Sequence, residues 1–167
     1  MAITGTGYIK RSDFMLFADV SDTTPPDWEL IGDKVEELNL AMNPNVSTVT
    51  DITGETKTTL DKYQVQTDVS PMKARKDSKL AAILYDIVKE EKTLSDVEHT
   101  FLVVNVFDST TTGEVTTYAA WTQKAVVAVQ NYGGNTEGLD IPFNIHWIGK
   151  KTYGSFAPTT KTFTAAA

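Results

Sequence analysis

The sequence predicts an α+β fold in which strands dominate, an antiparallel β-sandwich or partial barrel with one packed helix. Large apolar side chains alternate with polar ones over residues 139–148, the period of a strand with one buried face. Threonine, a β-branched residue suited to strands, occurs 25 times and often in pairs. In one segment, apolar residues recur at the spacing of an amphipathic α-helix. The length of 167 residues fits a single domain spanning 1–167.

The helix is predicted over about residues 78–91. Asp77 or Ser78 can cap its first turn. Its apolar residues recur at i, i+3, i+4, i+7 and i+8, which places them on one face. These residues are Leu80, Ile83, Leu84, Ile87 and Val88.

Four further segments define the sheet. Residues 101–107 are apolar on both faces, which is typical of a strand covered on each side. Residues 115–148 predict a hairpin, and residues 37–42 and 62–67 predict a pair of half-polar strands. Residues 157–167 form a terminal strand or arm.

A long polar loop without secondary structure is predicted over about residues 43–59. The segment is rich in Asn, Thr, Ser and Asp. Such an excursion in a small domain is functional or disordered, and the sequence leaves both interpretations open.

Composition excludes several classes of function. The chain has no cysteine and two histidines, His99 and His146, so disulfide frameworks and thiolate metal sites are excluded. No catalytic, metal-binding or cofactor-binding motif is found, and we expect a non-enzymatic protein without cofactor. No stretch approaches the roughly 18 apolar residues of a membrane span, and the N-terminus lacks the apolar core of a signal peptide.

Charge is distributed unevenly along the chain. The net charge is −7, and residues 1–72 carry 12 Asp and Glu against 5 Lys and Arg. A basic nucleic-acid groove of the ordinary kind is therefore disfavoured. A cluster of cations precedes the helix: Lys73, Arg75, Lys76 and Lys79. Such a cluster is usually a solvent-exposed surface. If it binds a partner, an acidic surface of a second copy of this chain is at least as good a candidate as DNA.

The order of several weak motifs carries a resemblance. These motifs are Trp28-x-Leu30-Ile31-Gly32, a strand ending in Asn43-Pro44, the long polar loop, the helix, and the closing run from Phe143 to Gly149 followed by Tyr153-Gly154-Ser155-Phe156. In this order they resemble the major tail tube proteins of long-tailed bacteriophages over nearly the whole chain. Lys150 and Lys151 replace an acidic residue that often follows the closing glycine in that family.

The resemblance implies a structural subunit of a virion tail, assembled in the host cytoplasm. Subunits of this family form hexameric rings that stack into a tube, through which DNA passes without specific binding. The implied partners are copies of the chain and the tape measure, tail terminator and distal tail proteins. The long loop of the family reaches a neighbouring ring or subunit. On this chain it corresponds to Asn43, Pro44, Asn45, Thr48, Thr50, Asp51, Thr53, Glu55 and Lys57.

Half-polar strands suit a sheet that lines a wet channel, as in large barrels. The side chains expected to face such a lumen are Glu37, Asn39, Gln64 and Gln66. We further hypothesise that the acidic side chains of residues 1–72 line the lumen, because negative walls repel phosphate and let DNA slide.

Two alternatives remain beside the tail tube. One is a ring-forming tube protein of a secretion system. The other is a β-sandwich carbohydrate-binding module that would use aromatic side chains as sugar platforms: Trp28, Trp121, Tyr132 and Trp147. Packing is the favoured role of Trp147, because it shares a face with Ile141, Phe143 and Ile145.

Overall fold

The structure is a computed structural model, and it describes residues 6–35 and 37–166. Over those residues it contains one α-helix, α1 (Lys79–Glu90), and short 3₁₀ turns at Arg11–Asp13 and Leu94–Val97. The strands are β1 (Phe14–Asp19), β2 (Trp28–Ile31), β3 (Pro44–Thr50), β4 (Thr56–Tyr63), β5 (Gln66–Val69), β6 (Glu98–Thr112), β7 (Val115–Val129), β8 (Gly133–Asn135), β9 (Gly138–Asp140), β10 (Phe143–Trp147), β11 (Thr152–Ala157) and β12 (Thr162–Ala165).

The main sheet is antiparallel, in the order β12-β11-β7-β6-β1-β2. Strand β7 is long enough to take two neighbours on one side. Residues 118–122 pair with β11, and residues 125–129 pair with β10, which in turn pairs with β5. The predicted fold class is confirmed, since 52% of the chain is strand and the sheet curls into a half-barrel. The predicted hairpin over residues 115–148 is confirmed by the pairing of β7 with β10.

The curl is visible in one aromatic contact. The rings of Phe17 on β1 and Phe156 on β11 lie 5.2 Å apart, although β6 and β7 separate their strands. In a flat sheet the two strands would be about 14 Å apart. The sheet therefore bends around a small core that also contains Trp28, Leu102 and Val104.

Helix α1 covers the other face of the sheet. Its buried residues Leu80, Leu84 and Ile87 pack in the larger core. Ser78 caps its first turn by accepting a hydrogen bond from the Ala81 N–H at 3.0 Å, and Glu91 ends it in a left-handed conformation. The predicted helix over residues 78–91 is confirmed.

Strand β6 is buried on both faces, as its sequence predicts. Phe101 and Val103 point into the core under α1, and Leu102 and Val104 point into the curled core. The strand runs beyond the predicted residue 107, but its register with β7 breaks between Asn105 and Ser109.

The segment over residues 139–148 has the predicted faces but is not one strand. Ile141, Phe143, Ile145 and Trp147 are buried, and His146 is exposed. Proline has no N–H to donate to a ladder, and the chain leaves the strand conformation at Ile141-Pro142 between β9 and β10. The indole N–H of Trp147 donates to the buried Thr67 hydroxyl at 3.0 Å, which confirms the favoured packing role of Trp147.

The prediction of a structureless loop over residues 43–59 is wrong. Strands β3 and β4 form an antiparallel hairpin there, with a bulge after Asn45. The prediction of a strand over residues 37–42 is also wrong, since only Glu37 and Ala41 form isolated bridges, to Ser70 and Gln66. The strand predicted over 62–67 is divided between β4 and β5. Residues 157–166 of the predicted arm end in the β11–β12 hairpin, and Ala167 lies outside the described residues.

Replacing Ile145 with Asp tests the assigned register of β10. Ile145 is completely buried, so an unpaired carboxylate there should lower the free energy of unfolding by at least about 3 kcal/mol. Urea denaturation followed by circular dichroism measures the change. The control is His146→Asp on the exposed face of the same strand, which should stay close to wild type. Unchanged stability of Ile145→Asp would contradict the register.

We expect His99 to make the stability of the fold depend on pH. Its Nε2 is buried without a hydrogen-bond partner among the described residues, and burial lowers the pKa of His99, with a smaller opposing effect of Asp19 and a smaller lowering effect of Lys92. The unfolded chain binds a proton as pH falls below about 6.5, whereas the folded chain does so only at lower pH. Stability from this source is complete above that pH and is lost below it.

Thermal unfolding at about pH 7.5 and about pH 5.5, where Asp and Glu remain charged, measures the effect. His99→Gln should reduce the difference in melting temperature between the two conditions. The exposed His146→Gln variant should leave that difference unchanged, and an equal reduction in both variants would argue against His99.

Candidate assembly surface

Residues 37–45 and 62–70 lie side by side as an antiparallel ribbon, which pairs at isolated bridges near the sheet and as a regular ladder from Pro44 outward. The pairs Glu37–Ser70, Ala41–Gln66 and Pro44–Tyr63 share a single antiparallel register. Backbone hydrogen bonds between Ala41 and Gln66, of 2.8 and 3.0 Å, hold the ribbon where it leaves the sheet. The two half-polar segments are neighbours, as predicted, but near the sheet they pair only at isolated bridges, and the hairpin is their outward extension.

The four predicted lumen-facing residues lie on one face of this ribbon. Glu37, Asn39 and Gln64 are exposed, and Gln66 is partly buried. Asn39 donates to Glu37 at 2.6 Å, and Gln66 donates to Asp68 at 2.7 Å. The opposite face is apolar at its base, where Leu38, Thr67 and Val69 are buried. The structure therefore brings the four residues together on a single polar surface.

The β3–β4 hairpin extends away from the sheet. Among the described residues its two strands pair only with each other, and all of their residues except Ser47 are exposed. Eight extended residues in β4 span about 25 Å. The exposed residues include five large apolar side chains within this one segment: Val46, Val49, Ile52, Leu60 and Tyr63.

Hydroxyl pairs replace apolar packing along the hairpin. Thr48 and Thr58 are 3.1 Å apart, Thr50 and Thr56 are 3.0 Å apart, and Ser47 lies 3.0 Å from Thr59. A two-stranded hairpin of this kind is marginally stable in water unless it packs against something. The hairpin is therefore suited to a partner surface.

The tip of the hairpin is an ordered turn around Asp51. Its Oδ1 accepts from the backbone N–H groups of Thr53 at 2.8 Å and Glu55 at 3.0 Å, and from the Thr53 hydroxyl. The Thr53 hydroxyl contributes most to a lowered pKa of Asp51. Gly54 has φ of +86°, which glycine adopts without strain. This turn presents Ile52 to solvent with its whole side chain exposed.

All nine residues predicted to contact a neighbouring subunit are exposed, eight on this hairpin and Asn43 directly before it. They are Asn43, Pro44, Asn45, Thr48, Thr50, Asp51, Thr53, Glu55 and Lys57. Sequence reasoning missed Ile52, the most exposed apolar residue of the segment. The sequence did contain an indication of it, since Ile52 is an isolated apolar residue within a polar turn.

The basic cluster finds acidic partners within its own chain. Arg75 forms ion pairs with Asp77 at 2.6 Å and with Asp33 at 2.9 Å, which raise the pKa of the guanidinium, Asp77 contributing most. Lys79 pairs with Asp27 at 2.5 Å, and this hydrogen bond lowers the pKa of Asp27. Lys73 and Lys76 have no ion pair among the described residues. Of the four cations predicted to dock, two are thus already neutralised.

Glu29 connects β2 to the start of α1. Its carboxylate accepts from the Ser78 hydroxyl at 2.5 Å and from the backbone N–H groups of Lys79 at 3.0 Å and Leu80 at 3.1 Å. Negative charge at a helix N-terminus also interacts favourably with the helix dipole. Part of the acidity of residues 1–72 therefore serves the fold.

Open sheet edges complete the candidate surface. In the described chain, β2 pairs only with β1, and β12 pairs only with β11. Unpaired edges offer backbone groups to another chain. Leu30 on β2 is half-exposed, and most of β12 is exposed.

The aromatic residues proposed as sugar platforms divide into two groups. Trp28 and Trp147 are buried in the two cores. Tyr132 is partly exposed beside Tyr85, and Trp121 is partly buried beside Tyr153. No flat array of exposed tryptophans exists over residues 6–35 and 37–166.

No protein-family model matches the chain, and no curated protein matches its sequence. Among the residues that the structure describes, no three His, Cys, Asp or Glu side chains converge in a way that could hold a metal ion. No helix in that part of the chain is long and apolar enough to cross a membrane.

Replacing Glu29 with Ala tests its role as a helix cap. The variant leaves two backbone N–H groups and a hydroxyl without their acceptor, so we expect a loss of about 1–2 kcal/mol in the free energy of unfolding. Urea denaturation near neutral pH measures it. Glu29→Gln should recover part of the loss, and Glu55→Ala on the exposed hairpin should cost nothing. Equal stability of Glu29→Ala and wild type would contradict the role.

Proposed function

We propose that this chain is the structural subunit of a bacteriophage tail tube, which forms stacked rings around a channel for DNA. The observation that carries the proposal is the β3–β4 hairpin, an ordered arm whose strands pair with no other strand in the described part of the chain. Its exposed Val46, Val49 and Ile52 gain free energy when a neighbouring subunit removes them from water. The order of sequence motifs supports the same function.

The open edges support assembly into rings. A half-barrel leaves β2 and β12 with unpaired backbone groups. Pairing with adjacent subunits satisfies these groups, and ring closure leaves no free edge. We propose hexameric rings, with the tape measure, tail terminator and distal tail proteins as further partners in the virion tail, after assembly in the host cytoplasm.

The polar face of the ribbon is the proposed lumen surface. Four acidic residues of the N-terminal part are engaged elsewhere: Asp19 accepts from the Ser21 and Asp27 N–H groups, and Asp27, Glu29 and Asp33 hold the helix region. Glu37 and Asp68 stay on the polar ribbon face. We therefore propose that only this face, and not all the acidic side chains of residues 1–72, lines the lumen. Its negative charge would repel DNA phosphates and let the DNA slide through the channel.

Deleting residues 46–58 tests the role of the hairpin. The deletion joins Asn45 to Thr59, so that residues 59–61 can connect the paired Asn45 and Lys62 as a three-residue hairpin loop. Because the removed residues lie outside both cores, the domain should fold with the melting temperature of wild type but should not polymerise. Negative-stain microscopy and sedimentation velocity measure assembly.

The control is Leu94→Ser, which removes an exposed apolar side chain far from the hairpin in sequence. This variant should assemble as wild type does. Normal tubes from the deletion variant would refute the role of the hairpin. Failure of the wild-type chain to form rings or tubes would count against the tail tube function.

A further inference from the structure

Strand β7 continues past the start of its neighbour β6 and leaves part of one edge open. The pairing of the two strands stops at Glu98 and Val126, so Val127–Val129 have no strand on that side in the described chain. On the other side, the Gln130 N–H donates to the Pro142 carbonyl at 2.9 Å. Because the backbone groups of successive strand residues face opposite sides, the N–H and C=O of Val129 point to the open edge.

A groove of about 600 Å³ lies beside this open edge. Leu94 stands at its rim with 85% of its surface exposed and contributes little to the floor. An unpaired edge next to an apolar groove is the arrangement that binds an extended peptide by strand addition. Apolar side chains of α1, of the turn before β6 and of β7 form the floor: Ile87, Val88, Val97, Val127 and Val129.

One wall of the groove is acidic. Residues 90–98 contain one cation, Lys92, which pairs with Glu90 at 3.2 Å. Three further carboxylates of this wall have no ion pair among the described residues: Glu91, Asp96 and Glu98. The opposite wall, residues 126–132, carries no charge. An extended segment that combines an apolar side chain with a cation therefore complements this groove.

Residues 6–10 form an exposed arm with these properties. The arm contains no helix or strand, the Tyr8 side chain is fully exposed, and Ile9 is 46% exposed. The Lys10 backbone is already extended, and its N–H donates to Asp13 at 2.9 Å. The Lys10 ammonium has no ion pair within the described part of the chain. The arm thus offers an aromatic ring and an unpaired cation.

Distance along the sheet separates the arm from the groove of its own copy. Phe14, where β1 begins, lies level with Asn105 and Ala119. Val129 is ten residues further along β7, about 33 Å away. From Phe14 back to Tyr8 the chain passes a 3₁₀ turn and three further residues, which together span about 16 Å. The arm can therefore reach this groove only in a second copy.

The other two large cavities offer the arm fewer free carboxylates. In the cleft of about 390 Å³ before α1, all four carboxylates are bonded within the chain, to Arg75, to Lys79 and to the start of α1. The groove of about 440 Å³ beside Trp121 has one lining carboxylate, of Asp108, and the Lys151 ammonium lies 4.5 Å from the Trp121 ring centre. Neither is acidic overall, as residues 90–98 are.

We propose that the arm of one copy, residues 6–10, adds as a short strand to the Val127–Val129 edge of β7 in a second copy. Alternate residues of a strand share a side, so Tyr8 lies on the apolar floor while Lys10 pairs with Glu91. The inference goes beyond the proposed function, because it needs a second copy of the chain but neither the β3–β4 hairpin nor the edges of β2 and β12.

The contact is head to tail, because the arm and the groove lie at opposite ends of the sheet. Each copy keeps a free arm or a free groove, so the contact propagates instead of ending at a dimer. Five residues bury far less than the roughly 1,200 Å² of a stable interface. The arm therefore reinforces copies that other surfaces bring together.

Cysteine cross-linking tests the contact, because the chain has no cysteine. Thr6→Cys places a thiol on the arm, and Asn131→Cys places one at the groove, both at exposed positions. At high protein concentration, a short bis-maleimide should convert the double variant into a ladder of covalent oligomers on a denaturing gel. The matched control combines Thr6→Cys with Thr164→Cys at the groove beside Trp121. An equally strong ladder from this control would overturn the inference.

Substitutions in the cross-linking variant test the two parts of the contact. Tyr8→Ser should reduce the ladder at least tenfold, whereas Val115→Ser, which removes another exposed apolar side chain, should not. Lys10→Glu and Glu91→Lys should each reduce it at least fivefold, and the two together should restore it. An effect of Tyr8→Ser without an effect of either reversal would overturn the Lys10–Glu91 pair and support the strand addition. A ladder that none of these substitutions reduces would overturn both.

Negative-stain microscopy of the wild-type chain separates this inference from the proposed function. Rings or tubes together with the arm-to-groove ladder support both. Rings or tubes without the ladder overturn the arm contact and leave the tail tube function standing. A ladder without rings or tubes supports the contact and counts against the tail tube function, and the absence of both overturns both.

Discussion

Burial of both faces of β6 is the constraint on which the rest of the fold depends. Phe101, Leu102, Val103 and Val104 are at most 1% exposed, and alternate residues point to opposite sides of the sheet. One face requires a helix, and α1 supplies it. The other face requires the sheet to cover itself, and the curl that brings Phe156 to Phe17 supplies that cover. A half-barrel with one helix follows from these two requirements.

This arrangement also decides where charge and edges lie. The helix must be held over its face, and Glu29, Asp27 and Asp33 bind its first turn and the segment before it. The acidic residues of 1–72 therefore do not form one feature, because some hold the helix region, Glu37 and Asp68 lie on the polar ribbon face, and Asp51, Glu55 and Asp61 lie on the exposed hairpin. A sheet that curls without closing leaves one edge of β2 and one edge of β12 without a neighbouring strand in the described chain, and these are the edges through which we propose that subunits assemble.

The ribbon of residues 37–70 joins the folded body to the proposed assembly arm. Near the sheet it has a buried face at Leu38 and Val69, and beyond the bulge at Asn45 it has none. The sequence pattern predicted the inner part because apolar and polar residues alternate there. The sequence pattern did not predict the hairpin, because its strands carry hydroxyl pairs such as Thr48–Thr58 instead of alternating apolar residues. These hydroxyl groups stabilise the hairpin only when the two strands are already paired.

The sequence by itself determined α1, the doubly buried strand and the core face of Ile141 to Trp147. Each of these is a local periodicity, and local periodicity reports which side of an element is buried. Tertiary structure alone decided the curl of the sheet and the ion pairs of Arg75. These features join residues that are far apart in the chain, as Arg75 and Asp33 are, so no local window of sequence contains them. The segment over residues 43–59 is a further case. Its nine predicted contact residues are exposed, but the pairing of β3 with β4 joins residues up to 19 positions apart and was not predicted.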